Sequence, residues 1–238
     1  SLTAYRNFLV YKGWEDCILE PMLLDMIQQL GRPSGRFLSR IGADTRGVFP
    51  VPVSGNIYFN AGQEHPRTAA EEGYRYFTDE WGLVWRMPEQ HGLYYDLFSS
   101  PLSDDPDSDL DQRYVWPDGA ESARFTDMEK DIGKAAGTGA GVVMHGFTSG
   151  VFEMQQRLRG YENALVDLMT DEKSAGRILD RIVDAKIAYW DKALDIASGR
   201  VQVAVEVDDL GTQHSLLVSR ELYRKMIMPR HKRLFGFI

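Results

Sequence analysis

The chain has 238 residues, 43% of them hydrophobic and 26% charged, which is enough to bury a sizeable core. Its formal net charge of −8 excludes a general nucleic-acid binder, because phosphate contacts need clustered Lys and Arg. No apolar run reaches the ~18–20 residues that span a bilayer, and the opening SLTAYRNFLVYKGWED lacks a signal-peptide layout, so a cytoplasmic protein with no membrane partner is expected. The single cysteine, Cys17, rules out an internal disulfide framework and reads as a buried thiol.

In chain order, Leu19, Met22, Leu23, Met26, Ile27 and Leu30 recur at helical spacing, and Gly31 and Pro33 end the pattern. A strand is expected over Gly47–Val51. Residues 73–87 are rich in aromatic and β-branched types around Asp79–Gly82, which predicts a hairpin. The Pro, Ser and Asp density of residues 99–120 predicts an irregular surface loop. Its aspartates (Asp104, Asp105, Asp107, Asp109, Asp111) lack the Gly and terminal Glu of a calcium loop.

The second half has a clearer rhythm. A short apolar strand over 141–147 is followed by two helical stretches broken near Gly160. A long amphipathic helix over 171–198 comes next, with Gly199 at its C-terminal stop. A strand over 201–207 follows, then a helix from Ser219, a good N-cap. The glycine run 137–141 precedes a strand, whereas a phosphate cradle follows one, so it reads as a lead-in. Arg220, Arg224, Lys225, Arg230, His231, Lys232 and Arg233 form a basic cluster, read as a solvated helix face. Alternating strands and helices with long connections imply parallel strands, in a barrel or a doubly wound sheet.

The segment Val201–Asp209 carries the most chemistry. Side chains alternate faces along a strand, so Val201, Val203, Val205 and Val207 share one face, and Gln202, Ala204, Glu206 and Asp208 the other. In a barrel the valines are expected to pack on the helices. Glu206 and Asp208 would then point inward at the C-terminal mouth, as general acid or base, substrate-orienting groups or metal ligands. On an edge strand the same two carboxylates would simply meet water. His145, at the end of the other good strand, is either placed for the mouth or a satisfied core histidine. His214 lies on a loop and reads as a bystander.

Several ordered stretches resemble the uroporphyrinogen decarboxylase-like superfamily. They are Ile41-Gly42-Ala43-Asp44-Thr45-Arg46, Asp79-Glu80-Trp81-Gly82, Pro101-Leu102 with Trp116-Pro117-Asp118 and Arg124, the run from Gly150 to Asp167, and Asp208-Asp209-Leu210-Gly211-Thr212-Gln213 with Ser219, Tyr223 and Pro229. The resemblance implies one (β/α)8 barrel domain over residues 1–238, with a hairpin and loop inserted around 73–120. With about four barrel strands found and ~250 residues typical of a complete barrel, the remaining strands are expected beyond residue 238.

Two activities occur in that superfamily: cofactor-free decarboxylation of uroporphyrinogen, and zinc-dependent methyl transfer to or from a corrinoid. The Arg-Gln-Ala-Gly-Arg run of the true decarboxylases has no match here. Pro50 and Val51 stand where those enzymes carry an aspartate, and Gln155 or Gln156 where they carry a tyrosine. The chain looks closer to the methyltransferase branch. That implies a methyl group moved between a small donor or a thiol and a corrinoid, the corrinoid free or on a partner protein.

Under this reading Glu206, Asp208 and His145 are the catalytic candidates, and Gln213, Asp209 and Arg46 line the substrate. A zinc ion is implied, with ligands expected beyond residue 238, and a homodimer would be unsurprising. The alternatives are a tetrapyrrole decarboxylase and a non-catalytic corrinoid- or tetrapyrrole-binding module.

Overall fold

A computed structural model describes residues 1–18, 23–51, 53, 73–103 and 114–238. Among them a parallel sheet sits against helices, beside an antiparallel meander and a small hairpin. The parallel sheet has the order β3-β7-β8, from Thr45–Val48, Gly141–His145 and Val203–Val205. The meander is β4 (Tyr74–Thr78), β5 (Val84–Pro88) and β6 (Asp96–Ser99), and the hairpin is β1 (Leu23–Asp25) with β2 (Leu30–Gly31). The architecture is mixed α/β with parallel strands joined through helices, the coarser part of the barrel expectation. The aspartate-rich stretch 104–113 lies outside the described residues.

Three helices connect β7 to β8. Val151–Arg159 (α4) ends at Gly160, whose φ of +84° only glycine adopts easily, and the chain re-enters a helix at once in Tyr161–Thr170 (α5). Glu172–Ala197 (α6) opens on Asp171, whose side chain accepts from the Ser174 N–H. It stops at Ser198 and Gly199, both left-handed. Ile178, Leu179, Ile182, Val183, Tyr189 and Trp190 on its inner face are fully buried. Each such side chain contributes roughly 1.5–3 kcal/mol of transfer free energy, so α6 is the main structural column.

The meander turn is built by one carboxylate. Asp79 Oδ1 accepts from the N–H groups of Trp81 and Leu83, and its Oδ2 accepts from Trp85 Nε1 at 2.9 Å. Next to it, Glu80 receives both Arg124 terminal nitrogens, and the Arg124 guanidinium lies 4.3 Å over the Phe147 ring. Arg124 comes from the turn Ser122–Phe125, just before the helix Met128–Ala136 (α3), so this pair ties the meander to the main body.

Residues 23–31 depart from the helical expectation. They form β1, a turn with Gln29 at φ +53°, and β2, which together pack on the first helix, Leu2–Tyr11 (α1). The apolar period is real, since Leu23 and Ile27 are both buried, but tertiary partners override it. The Tyr95 N–H donates to Ile27 O and the Leu2 N–H to Gln29 O. Gly31 lies so close to Tyr5 that a Cβ there would fall 2.6 Å from the ring.

The basic cluster is not simply solvated. From the helix Arg220–Leu222 (α7), its π turn Tyr223–Ile227 and Met228–Phe237 (α8), Lys225, Arg230 and Arg233 pair with Glu172, Asp180 and Asp184 of α6, and His231 is buried.

Candidate functional site

Strand register decides which side chains meet. His145 pairs with Val205, Val143 with Val203 and with Gly47, and Met144 with Ala204 and with Val48. Facing partners share a side of the sheet. His145, Val205 and Val207 therefore lie on one face, while Met144, Ala204, Glu206 and Asp208 lie on the helix-covered face. This reverses the orientation expected for the 201–209 stretch: the valines face the open side, and the acids face the helices.

The reason is visible in the partners. Glu206 accepts from Lys186 Nζ and Trp190 Nε1 of α6, each at 2.6 Å, and Lys186 also donates to Thr148 O. Both side chains of the ion pair are almost wholly buried, at 0% and 6% exposure. Asp208 is used equally fully. Its Oδ1 accepts from the Glu153 N–H (2.8 Å) and the Asp209 N–H (3.1 Å). Its Oδ2 accepts from the Phe152 N–H (2.9 Å) and His231 Nε2 (2.7 Å).

A carboxylate receiving four N–H groups has its acceptor positions filled and none left for a substrate proton. It also sits at the positive end of α4. His231 must then carry its proton on Nε2, leaving Nδ1 to accept from the Tyr223 hydroxyl at 3.2 Å. Gly150 allows this approach, since a Cβ there would fall 2.2 Å from Asp208 Oδ1. Glu206 and Asp208 thus stand behind the sheet as supports.

A cavity of about 470 Å³ opens on the other face, at the carboxyl ends of β3, β7 and β8. That size suits a small molecule. Apolar walls come from Leu24, Ile27, Phe49, Phe147, Val205 and Val207, and polar groups from Asp25, His145, Glu153, Arg157 and Asp209. The Phe49 ring stacks on His145 with centroids 4.2 Å apart. Neither His145 ring nitrogen has a hydrogen-bond partner among the described residues, and burial holds its pKa below the usual histidine range, so the imidazole is neutral.

Burial raises Asp25 above the usual carboxylate range, against the opposing pull of the Gln28 and Ile27 N–H groups. It also raises Glu153, where the Arg157 guanidinium pulls down and the charges of Asp209 and Asp208 push up. Neutral imidazole and reluctant carboxyls in one cleft can move protons near neutrality.

Of the six residues expected from the sequence, the cavity gathers His145 and Asp209. Gln213 is exposed on the loop after β8, and Arg46 points to the opposite end of β3, donating to Ala43 O and Thr45 O. Sequence reasoning missed Glu153, Arg157 and Asp25. The first two carried a signal: a Glu/Arg pair four residues apart on the first turns of a helix that directly follows a strand ending in His145. Among the described residues no three of His, Cys, Asp and Glu come together as a metal site, so the zinc implied by the resemblance has no donor set here. Nor is any helix among them long and apolar enough to cross a membrane.

No protein-family model matches the chain. No curated protein matches it. Among solved structures, it is similar to a methyltransferase from Methanosarcina mazei, at 14% identity and a TM-score of 0.46. The match covers 66% of this chain and 44% of that one, so the chain spans less than half the length of that methyltransferase.

Proposed function

We propose that the chain is part of a β/α-barrel enzyme of methyltransferase type, whose cavity takes a small methyl donor or a thiol and exchanges the methyl group with a corrinoid co-substrate. The observation that carries this reading is the neutral His145 imidazole, whose ring nitrogens bond to no described residue, beside two desolvated carboxyls, in a cleft at the carboxyl ends of parallel strands.

Methyl transfer leaves an electron pair on the donor heteroatom and needs a free pair on the acceptor. The protein's task is therefore to supply one proton or remove one. With a thiol acceptor, a His145 ring nitrogen takes the S–H proton and leaves a thiolate to attack the methyl carbon. With a methylated donor, Glu153 or Asp25, whose carboxyls burial makes readier to hold a proton, can pass one to the departing heteroatom. Phe49 fixes the imidazole plane. The corrinoid supplies the carbon–cobalt bond that is made or broken. No step is routed through zinc, for which the described residues offer no ligand set.

The decarboxylase reading fits the cleft less well. Among the described residues Arg157 is the one Lys or Arg side chain lining it, and Glu153 already holds that guanidinium, whereas a tetrapyrrole rich in carboxylates needs several free cations.

The test is spectrophotometric. Protein with methylcobalamin and 2-mercaptoethanol, and protein with cob(I)alamin and methanol, trimethylamine or guaiacol, are followed in the corrin bands. We expect turnover above buffer in at least one pairing, reduced by about 100-fold in His145→Ala. Buffer-level rates in all pairings would overturn the reading.

A further inference from the structure

The charge of the same cleft names a substrate class, and this step rests on the cavity being the substrate site. Among the described residues its lining carries three carboxyl groups, Asp25 from β1, Glu153 from α4 and Asp209 beyond β8, against one guanidinium, Arg157. Arg157 is already spent, being bound to Glu153 and lying 5.0 Å over the Trp85 ring. His145 adds no positive charge while burial keeps it neutral. Asp25 receives the Gln28 N–H and feels the Arg157 charge through space, but no ion pair joins either Asp25 or Asp209 to a described residue. Leu24, Ile27, Phe49, Phe147, Val205 and Val207 supply an apolar wall, and Gln28, Thr148 and Ser149 add uncharged polar groups.

A neutral ligand leaves this surplus of acidic groups over cations without a counter-charge. An anionic ligand adds to it. A compact organic cation answers both features at once, its charge set against the carboxylates and its carbon substituents against the aliphatic and aromatic wall. We infer that the cleft takes an alkylammonium ion, with the cationic nitrogen on the side of Asp25 and Asp209 and the alkyl groups against Phe49 and the valines of β8.

For a methyl-transfer enzyme the chemistry is consistent. A methylated ammonium carries its methyl carbon on a nitrogen that leaves as a neutral amine, taking the C–N electron pair and needing no added proton. Glu153 and Asp25 then serve that donor as counter-charges.

The experiment compares three near-isosteric probes on the whole chain by isothermal titration calorimetry: choline, the uncharged 3,3-dimethylbutan-1-ol, and the anion 3,3-dimethylbutanoate. We expect choline to bind about tenfold more tightly than the alcohol, and the anion to bind weakest. The preference should shrink towards parity in Asp209→Asn, at an exposed position, and in Asp25→Asn where that variant folds. Thermal melts verify the fold of each variant.

Equal binding of choline and the alcohol, tighter binding of the anion, or an unchanged preference in Asp209→Asn overturns the inference. The readout is independent of turnover. Methyl transfer without cation preference sinks only the substrate class, and cation preference without methyl transfer sinks only the activity.

Discussion

The Lys186–Glu206 pair allows a quantitative test of why the acids of the 201–209 stretch face the helices. Lys186 is fully buried, Glu206 is 6% exposed, and they meet at 2.6 Å. At that distance the gross attraction is about 6 kcal/mol in an effective dielectric of about 20. Desolvating both charges offsets much of it, so the pair's net worth is small, but removing one partner strands the other.

Lys186→Met should therefore cost about 3–5 kcal/mol, and Glu206→Gln somewhat less, because the amide oxygen can still accept from Trp190 Nε1. In the double variant no lone charge remains, and its cost should fall below the sum of the singles by at least about 1 kcal/mol. Urea unfolding followed by tryptophan fluorescence measures all four proteins. A Lys186→Met cost under about 1 kcal/mol, or additivity within about 0.5 kcal/mol, would refute the buried-pair account.

Burial raises Asp79 to about 6, so the folded state holds its proton more tightly than the unfolded state does. The associated stability is present in full below the unfolded pKa and is lost as pH rises through 6, up to about 3 kcal/mol in all. Urea midpoints from pH 4 to 7 should carry this component in the native chain, and an undiminished slope in Asp79→Asn would contradict it. Gly150→Ala should cost more than about 2 kcal/mol in thermal melts, since the new carbon meets both the Asp208 carboxylate and Val207 O at close range. Removing the Asp208 carboxylate with Asp208→Ala should fray the start of α4, and faster amide exchange at Phe152 and Glu153 is the readout. His145→Ala should lose activity yet melt within a few degrees of the parent, because its side chain forms a ring stack and no hydrogen bond to a described residue.

Where local signals are strong, the sequence is a good guide to the fold. Gly160, Gly199 and Ser219 end or start helices as their chemistry dictates, and Asp79–Gly82 turns the meander. The failures share a cause. Leu23 and Ile27 fit a helical period and are buried, but a strand pair whose turn places Ile27 in the main core buries them equally well, and periodicity cannot tell the two apart. The alternation of 201–209 correctly separates two faces and is silent on which one looks inward. That choice belongs to Lys186, Trp190 and His231, which arrive from other segments. The candidate site was half legible for the same reason: His145 and Asp209 end strands, whereas Asp25 reaches the cleft only through the unforeseen hairpin.

The grip of Arg124 on Glu80 has a mechanical consequence. A three-stranded antiparallel ribbon hanging from a larger body would ordinarily peel away first, as a separately melting flap. Here, lifting it would leave a guanidinium with 1% exposure stranded beside an aromatic ring, and its carboxylate pulled out of reach. The penalty falls on the body as much as on the ribbon, so the two come apart together, in one cooperative step.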